Sequence, residues 1–207
     1  IVYYTMVGDP VIHMMSASTG VDLGGITTSV ASMSTIAWDG STFWTSDYSG
    51  TNRAFQIGLD GTTLKTINLS LASTNMDGME WFENKLISNR CDACGVYDVY
   101  DLDGNVLQAG FIDTGYQSTG IAYDGTYFYS SRIFENTIDV FDGAGVFVKS
   151  ITLAGGDPIT ENGGGRLIED LSVDYARRSD VVPEPSTILL LGTGLLGLAV
   201  LGRRKQA

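Results

Sequence analysis

Two cysteines, four carboxylates and two arginines are the side chains of this sequence whose types and spacing could do chemistry. Cys91 and Cys94 stand in a Cys-Asp-Ala-Cys run. In an oxidising compartment such a pair is expected to close a local disulfide. The competing readings are free thiols or a redox or metal role. Redox chemistry needs a thiol at a helix N-terminus in a βαβ setting, which the surrounding residues do not offer. Zinc needs about four ligands, and the single histidine, His13, falls far away among Val11-Ile12-His13-Met14-Met15, where a packed or edge role fits it better. With one histidine, no Ser-His-Asp or Cys-His constellation suggests itself. Asp77, Glu80, Glu169 and Asp170 form the more interesting set. If they converge, they could hold a divalent cation such as Ca2+, which would lower the pKa of a bound water and support hydrolysis of a lactone or phosphoester. Arg90 and Arg132 could face an anionic ligand or pair with these acids. The competing reading makes all six ordinary turn and surface charges. Asp101-Leu102-Asp103-Gly104-Asn105 imitates the opening of a calcium loop, but Val106 and Ile112 stand where that loop needs Gly and Glu, so it reads as a hairpin turn.

The elements that would position these groups are repeated. Ile36-Ala37-Trp38-Asp39-Gly40-Ser41-Thr42-Phe43-Trp44 returns as Met79-Glu80-Trp81-Phe82-Glu83-Asn84-Lys85-Leu86-Ile87 and again as Ile121-Ala122-Tyr123-Asp124-Gly125-Thr126-Tyr127-Phe128-Tyr129, at a spacing of about 42 residues. Each copy is an apolar strand, a polar turn and a second strand, and Asp-Gly in two of them supplies a φ > 0 turn. A second hairpin follows each copy, turning at Asp60-Gly61, at Asp103-Gly104 and near Asp142-Gly143. Four strands per period are the signature of a β-propeller blade, whereas a β-sandwich does not predict self-similarity at one period. The fold class is therefore all-β, a propeller of four-stranded blades. Val2-Tyr3-Tyr4 aligns with Phe43-Trp44-Thr45, so the chain enters at a second strand, while Leu171-Ser172-Val173 aligns with Ile121-Ala122-Tyr123 as a lone first strand. That strand could complete a ring of four. The alternative, a larger propeller entered partway, is favoured by the scarcity of four-bladed rings and by the lack of a leader before Ile1, which suggests a processed product or a fragment. In this frame Thr35, Gly78, Gly120 and Asp170 are equivalent positions at the mouth of the central channel, beside Asp77, Glu80 and Glu169.

Composition narrows the partners. With 24 acidic against 12 basic residues and a net charge of −12, the chain lacks the clustered cations that nucleic acid requires. Its 207 residues can bury a core without disulfides, and 26 glycines with only 17% charged residues suit short strands joined by tight turns. The basic residues do cluster at the end, in Arg203, Arg204 and Lys205. Before them runs an uncharged stretch from Ile188 to Gly202, and before that Val182-Pro183-Glu184-Pro185-Ser186-Thr187. The prolines hold an accessible extended segment. The apolar stretch partitions into lipid as a helix of about 22 Å, short of a hydrocarbon core near 30 Å, so snorkelling arginines or a thinned bilayer must cover the difference. The basic cluster stays cytoplasmic, which leaves the body on the far side of the membrane. Gly192-Thr193-Gly194-Leu195-Leu196-Gly197 matches a dinucleotide fingerprint by letters alone, because it lies inside this stretch and opens no βαβ unit.

The tail resembles the PEP-CTERM sorting domain: a Val-Pro-Glu-Pro motif, a short hydrophobic helix and a basic terminus, in that order. The resemblance implies recognition by an exosortase, transient residence in the inner membrane, removal of the helix, and delivery to the surface or extracellular matrix of a Gram-negative bacterium, where biofilm polysaccharide or a surface protein would be a partner. The repeats resemble NHL, regucalcin-like and gluconolactonase-like propellers over roughly residues 1–175, which implies fold better than activity. The expected organisation is a propeller at 1–176, a linker at 177–186 and the anchoring helix with its basic tail at 187–207. Two functions fit: a non-enzymatic surface protein using the propeller as a platform, or an exported metal-dependent hydrolase of the gluconolactonase-like kind.

Overall fold

A computed structural model describes residues 1–92, 94–153, 168 and 170–174. The expected linker and anchoring segment, with the sorting residues Val182–Thr187 and the basic Arg203–Lys205, lie outside the described residues. Among the described residues no helix is long and apolar enough to cross a membrane.

The described chain is all strand and turn, ordered in four sheets whose neighbours all run antiparallel. The first sheet has three strands, β1 (Val2–Tyr4), β2 (Val11–Met15) and β3 (Asp22–Thr27). The second is β4 (Ala37–Trp38), β5 (Phe43–Ser46), β6 (Arg53–Ile57) and β7 (Thr63–Asn68). The third is β8 (Met79–Phe82), β9 (Lys85–Asn89), β10 (Val96–Tyr100) and β11 (Val106–Asp113). The fourth is β12 (Ser118–Tyr123), β13 (Tyr127–Arg132), β14 (Thr137–Asp142) and β15 (Phe147–Thr152). Each sheet is a meander, the blade of a propeller. Four blades correct the larger ring favoured from the repeat pattern. The reason lies in residues 170–174, which sit against the fourth blade, with the Asp170 Cα 2.8 Å from where a Cβ on Gly120 would stand. They also line one cavity with Tyr3 of the first blade and with Ile36 and Trp38 of the second, on the inner side of the three-stranded first sheet.

Blades pack face to face through three apolar clusters. Phe43, Phe55, Ile57 and Ile12 join the first blade to the second. Trp44, Ile67, Leu69, Met76 and Trp81 join the second to the third. Phe82, Tyr97, Phe111, Phe128 and Phe141 join the third to the fourth, with the Phe82 ring edge-on to Phe128 at 5.0 Å. Burying side chains of this size, at roughly 1.5–3 kcal/mol each, is what holds independent sheets side by side. Glycine permits the closest approaches. A Cβ on Gly78 would stand 1.9 Å from the Thr119 carbonyl oxygen, and one on Gly104 would stand 2.2 Å from that of Asn68.

The inner hairpins differ in a way the repeat pattern hides. In the second blade Trp38 pairs with Phe43, and the intervening Asp-Gly-Ser-Thr turn closes through Asp39 N–H to Thr42 O at 3.1 Å. In the third, Phe82 pairs with Lys85, leaving only Glu83 and Asn84 in the turn, at φ 47° and 60°. Of these two hairpins the tighter is the one without glycine.

Candidate functional site

Inner strands enter at the face that carries the connections between blades and the loops between second and third strands. Around their starts lies a belt of buried hydroxyls that tie blade to blade. Ser34 Oγ and Ser46 Oγ donate to the Met76 carbonyl at 2.7 and 2.8 Å, and Ser130 Oγ donates to the Tyr97 phenol oxygen at 3.1 Å. The sequence reading missed this belt because isolated Ser and Thr in strands carry no signal of their own. Only the fold brings Thr35, Ser46, Ser88, Ser118, Thr119, Ser130 and Ser131 all into buried positions.

The carboxylates divide. Asp77 holds one end of a clamp: the Asn89 amide donates to its Oδ1, while Asn89 Oδ1 accepts from the Asp77 and Gly78 N–H groups at 3.2 Å each. Asp170 Oδ1 accepts the Leu171 N–H at 2.8 Å. Both acids act on the buried phenol of Tyr97, whose pKa is raised well above its usual value by burial first and then by the charges of Asp77 and Asp170. That phenol donates to the Thr119 carbonyl at 3.0 Å. Solvent reaches Asp170, yet the protein packed around its carboxyl lifts it to about 6. Glu80 is elsewhere. It is 1% exposed, and its carboxylate accepts the Trp81 N–H at 2.6 Å and the Tyr123 N–H at 3.2 Å, inside the seam between the third and fourth blades. Glu169 lies outside the described residues. Among the described residues no three His, Cys, Asp or Glu side chains are grouped to hold a metal ion.

Arg90 and Arg132 are equivalent in the structure as in the sequence, but their partners are on their own blades. Arg90 Nε and Nη2 grip Asp98 at 2.7 and 2.8 Å, and Arg132 Nε and Nη2 grip Asp139 at 2.8 and 3.0 Å. Asp98 and Asp139 are buried on the neighbouring strand. Arg132 also donates to Glu135 at 2.9 Å and covers the Tyr116 ring at 3.4 Å from its centroid. In the second blade the polarity is reversed, with Asp47 in the equivalent place accepting from Arg53 at 2.8 Å. The Arg90 and Arg132 pairs are two-point contacts and the Arg53 pair a single one, and each bridges the second and third strands of its blade.

Cys91 and Cys94 are joined, with Cα atoms 5.3 Å apart. Their loop is tied to the second blade, where the Tyr48 hydroxyl donates to Asp92 at 3.1 Å. His13 pairs with Asp9 at 3.0 Å and stacks on Tyr4. Asp101 spends its carboxylate on the Asp103 and Asn105 N–H groups, both at 2.9 Å, as a hairpin turn does.

Three comparisons place this geometry. Among solved structures, the crystal structure of Myxococcus xanthus glutaminyl cyclase is similar at a TM-score of 0.59 and 12% identity, over 84% of this chain and 86% of that one, which is a likeness of fold. A chain of the mitotic checkpoint complex is similar at a TM-score of 0.47 and 13% identity, over 72% of this chain and 48% of that one. No curated protein matches the chain. Residues 181–205 match the PEP-CTERM protein-sorting motif. The chain is thus a four-bladed propeller carrying a PEP-CTERM sorting motif: an exported protein, made as a membrane-anchored precursor and sorted by an exosortase to the cell surface.

Proposed function

We propose that the propeller is a non-enzymatic binding platform, delivered by its tail to the outer surface or extracellular matrix of a Gram-negative bacterium, where its partner is an extracellular polysaccharide or a surface protein. The observation that carries this reading is the use already made of the groups that chemistry would need. Glu80 serves backbone N–H groups, and Arg90 and Arg132 serve buried aspartates. The net charge of −12 opposes nucleic acid as a partner. The purified propeller should co-sediment with matrix polysaccharide, or capture a surface protein from its own host, while leaving lactone and phosphoester substrates intact. Turnover of either substrate would overturn the reading.

A second reading, a metal-dependent hydrolase of the gluconolactonase-like kind, draws support from the charges of Asp77 and Asp170 both raising the pKa of the Tyr97 phenol. It predicts that millimolar Ca2+ raises Tm and that Asp170→Ala abolishes the rise. Absence of any shift favours the platform.

A further inference from the structure

At the face where inner strands enter, the fourth blade presents two large aromatic rings to solvent, Tyr116 at 46% and Phe134 at 48% exposure. Tyr116 lies in the connection into β12, and Phe134 in the loop after β13. The Ile133 N–H donates to the Gln117 carbonyl at 3.0 Å, one step beyond the Ser118–Arg132 pair, so the next step along the two chains brings Tyr116 and Phe134 to the same place. Neither ring is needed to close a blade. The third blade carries the same arginine clamp, and at the offset that relates Arg132 to Arg90 it has Thr74 and Asp92, both polar and exposed. Arg90 keeps its grip on Asp98 at 38% exposure, whereas Arg132, lying over the Tyr116 ring, is down to 13%. In the fourth blade a stack therefore runs outward from the buried Asp139 through the Arg132 guanidinium to one face of Tyr116. The backbone of Tyr116 is fixed as well. The Thr114 hydroxyl accepts its N–H and donates to its carbonyl, each at 3.1 Å, and Gly95 of the third blade packs against that carbonyl. A half-exposed ring is thus oriented before any ligand arrives, which lowers the cost of binding one.

We propose that Tyr116 and Phe134 form a stacking platform for a neutral polysaccharide, which rests on the binding-platform reading and gives it a site and a ligand class. A pyranose offers a flat C–H face to an aromatic ring and a rim of hydroxyls to polar groups beside it. The Tyr116 hydroxyl and the Gln117 amide have no hydrogen-bond partner among the described residues and are free to meet that rim. Charge selects among sugars. The net charge of −12, with Glu135 directly after Phe134, repels uronate or phosphate polymers. Arg132, the cation at the platform, is already committed to Asp139 and Glu135 and does not offset that repulsion. Two rings also fall well short of the roughly 1,000 Å² that a specific protein interface buries, but they suit a short run of sugar units.

The test uses the full chain in mild detergent and the host's own matrix polysaccharide, split by anion exchange into neutral and acidic fractions. In native gels cast with each fraction, the neutral one should retard the protein and the acidic one should not. Tyr116→Leu and Phe134→Leu should each weaken that binding about tenfold, while Tyr116→Trp should keep it, because a flat ring rather than apolar area makes the contact. Tyr127→Leu, which removes an exposed tyrosine at the far end of β13, should bind like the parent. An unchanged Tm in each variant shows that the blade is intact. Binding that survives both leucine substitutions, is lost equally in Tyr116→Trp, or goes to the acidic fraction overturns the stacking platform while leaving a binding protein. Failure of the parent to bind either fraction overturns it too, and capture of a surface protein would then sustain the broader reading alone. Turnover of a lactone or phosphoester would instead overturn that broader reading.

Discussion

Arg90 and Arg132 show what a residue can and cannot announce. Their equivalence was legible from the repeat, but their partners were not, because Asp98 and Asp139 lie on the next strand and only the ladder register brings them within 3 Å. Asp98 is fully buried while Arg90 is 38% exposed, so loss of the arginine strands a charge in the blade. Arg90→Leu should cost about 2 kcal/mol in chemical denaturation, and Arg90→Leu combined with Asp98→Leu should recover most of it. An anion-binding role would instead leave stability unchanged in the single variant. Asp170 makes a prediction in pH. Its carboxyl is raised to about 6 in the folded protein from an ordinary value of 3.8, so between those pH values the folded chain holds a proton that the unfolded chain has lost. Stability therefore falls as pH rises through that window, and the penalty is complete above about pH 6. Asp170→Asn should raise Tm relative to the parent at pH 7, with the gain vanishing near pH 4. An equal effect at both pH values would mean that the group titrates normally.

Elements were the most legible level, because a period of about 42 residues with four strands in each unit admits few architectures. The turns were less so. Asp39-Gly40 and Asp124-Gly125 read as tight hairpins, and their glycines do take φ 96°. Yet the two-residue turn is Glu83-Asn84, where a non-glycine pair bears the positive φ. Replacing it by Glu83→Asn with Asn84→Gly should stabilise the third blade by about 1 kcal/mol, read as a higher denaturation midpoint with an unchanged slope. Close approaches between blades were invisible in the sequence, since nothing separates a seam glycine from a turn glycine. Gly78→Ala should be severely destabilising, at several kcal/mol, because the new Cβ meets backbone at 1.9 Å. Gly125→Ala, with open space around it and φ 96°, should cost only about 1 kcal/mol. Comparable losses at both sites would refute the packing given for the third and fourth blades.

At the scale of the whole molecule, the sequence spoke plainly at its end and ambiguously in its middle. Prolines, an uncharged apolar stretch and a basic cluster each act through bulk properties of chain and bilayer, so they are readable without a structure. Blade number and the fate of the channel carboxylates depend instead on which strands meet across the ring. That is why four blades replaced the larger propeller, and why Glu80 turned out to lie in a seam rather than in the channel. The central claim is that an acidic propeller is carried across the membrane and handed over at residues 181–205. It is tested most directly by fractionating the host with and without its exosortase and following the propeller with an antibody. With the enzyme present, the body should appear at the cell surface without its apolar tail. Without the enzyme, it should stay in the inner membrane with the tail intact. A body found in the cytosol, or one whose distribution ignores the exosortase, would contradict the account.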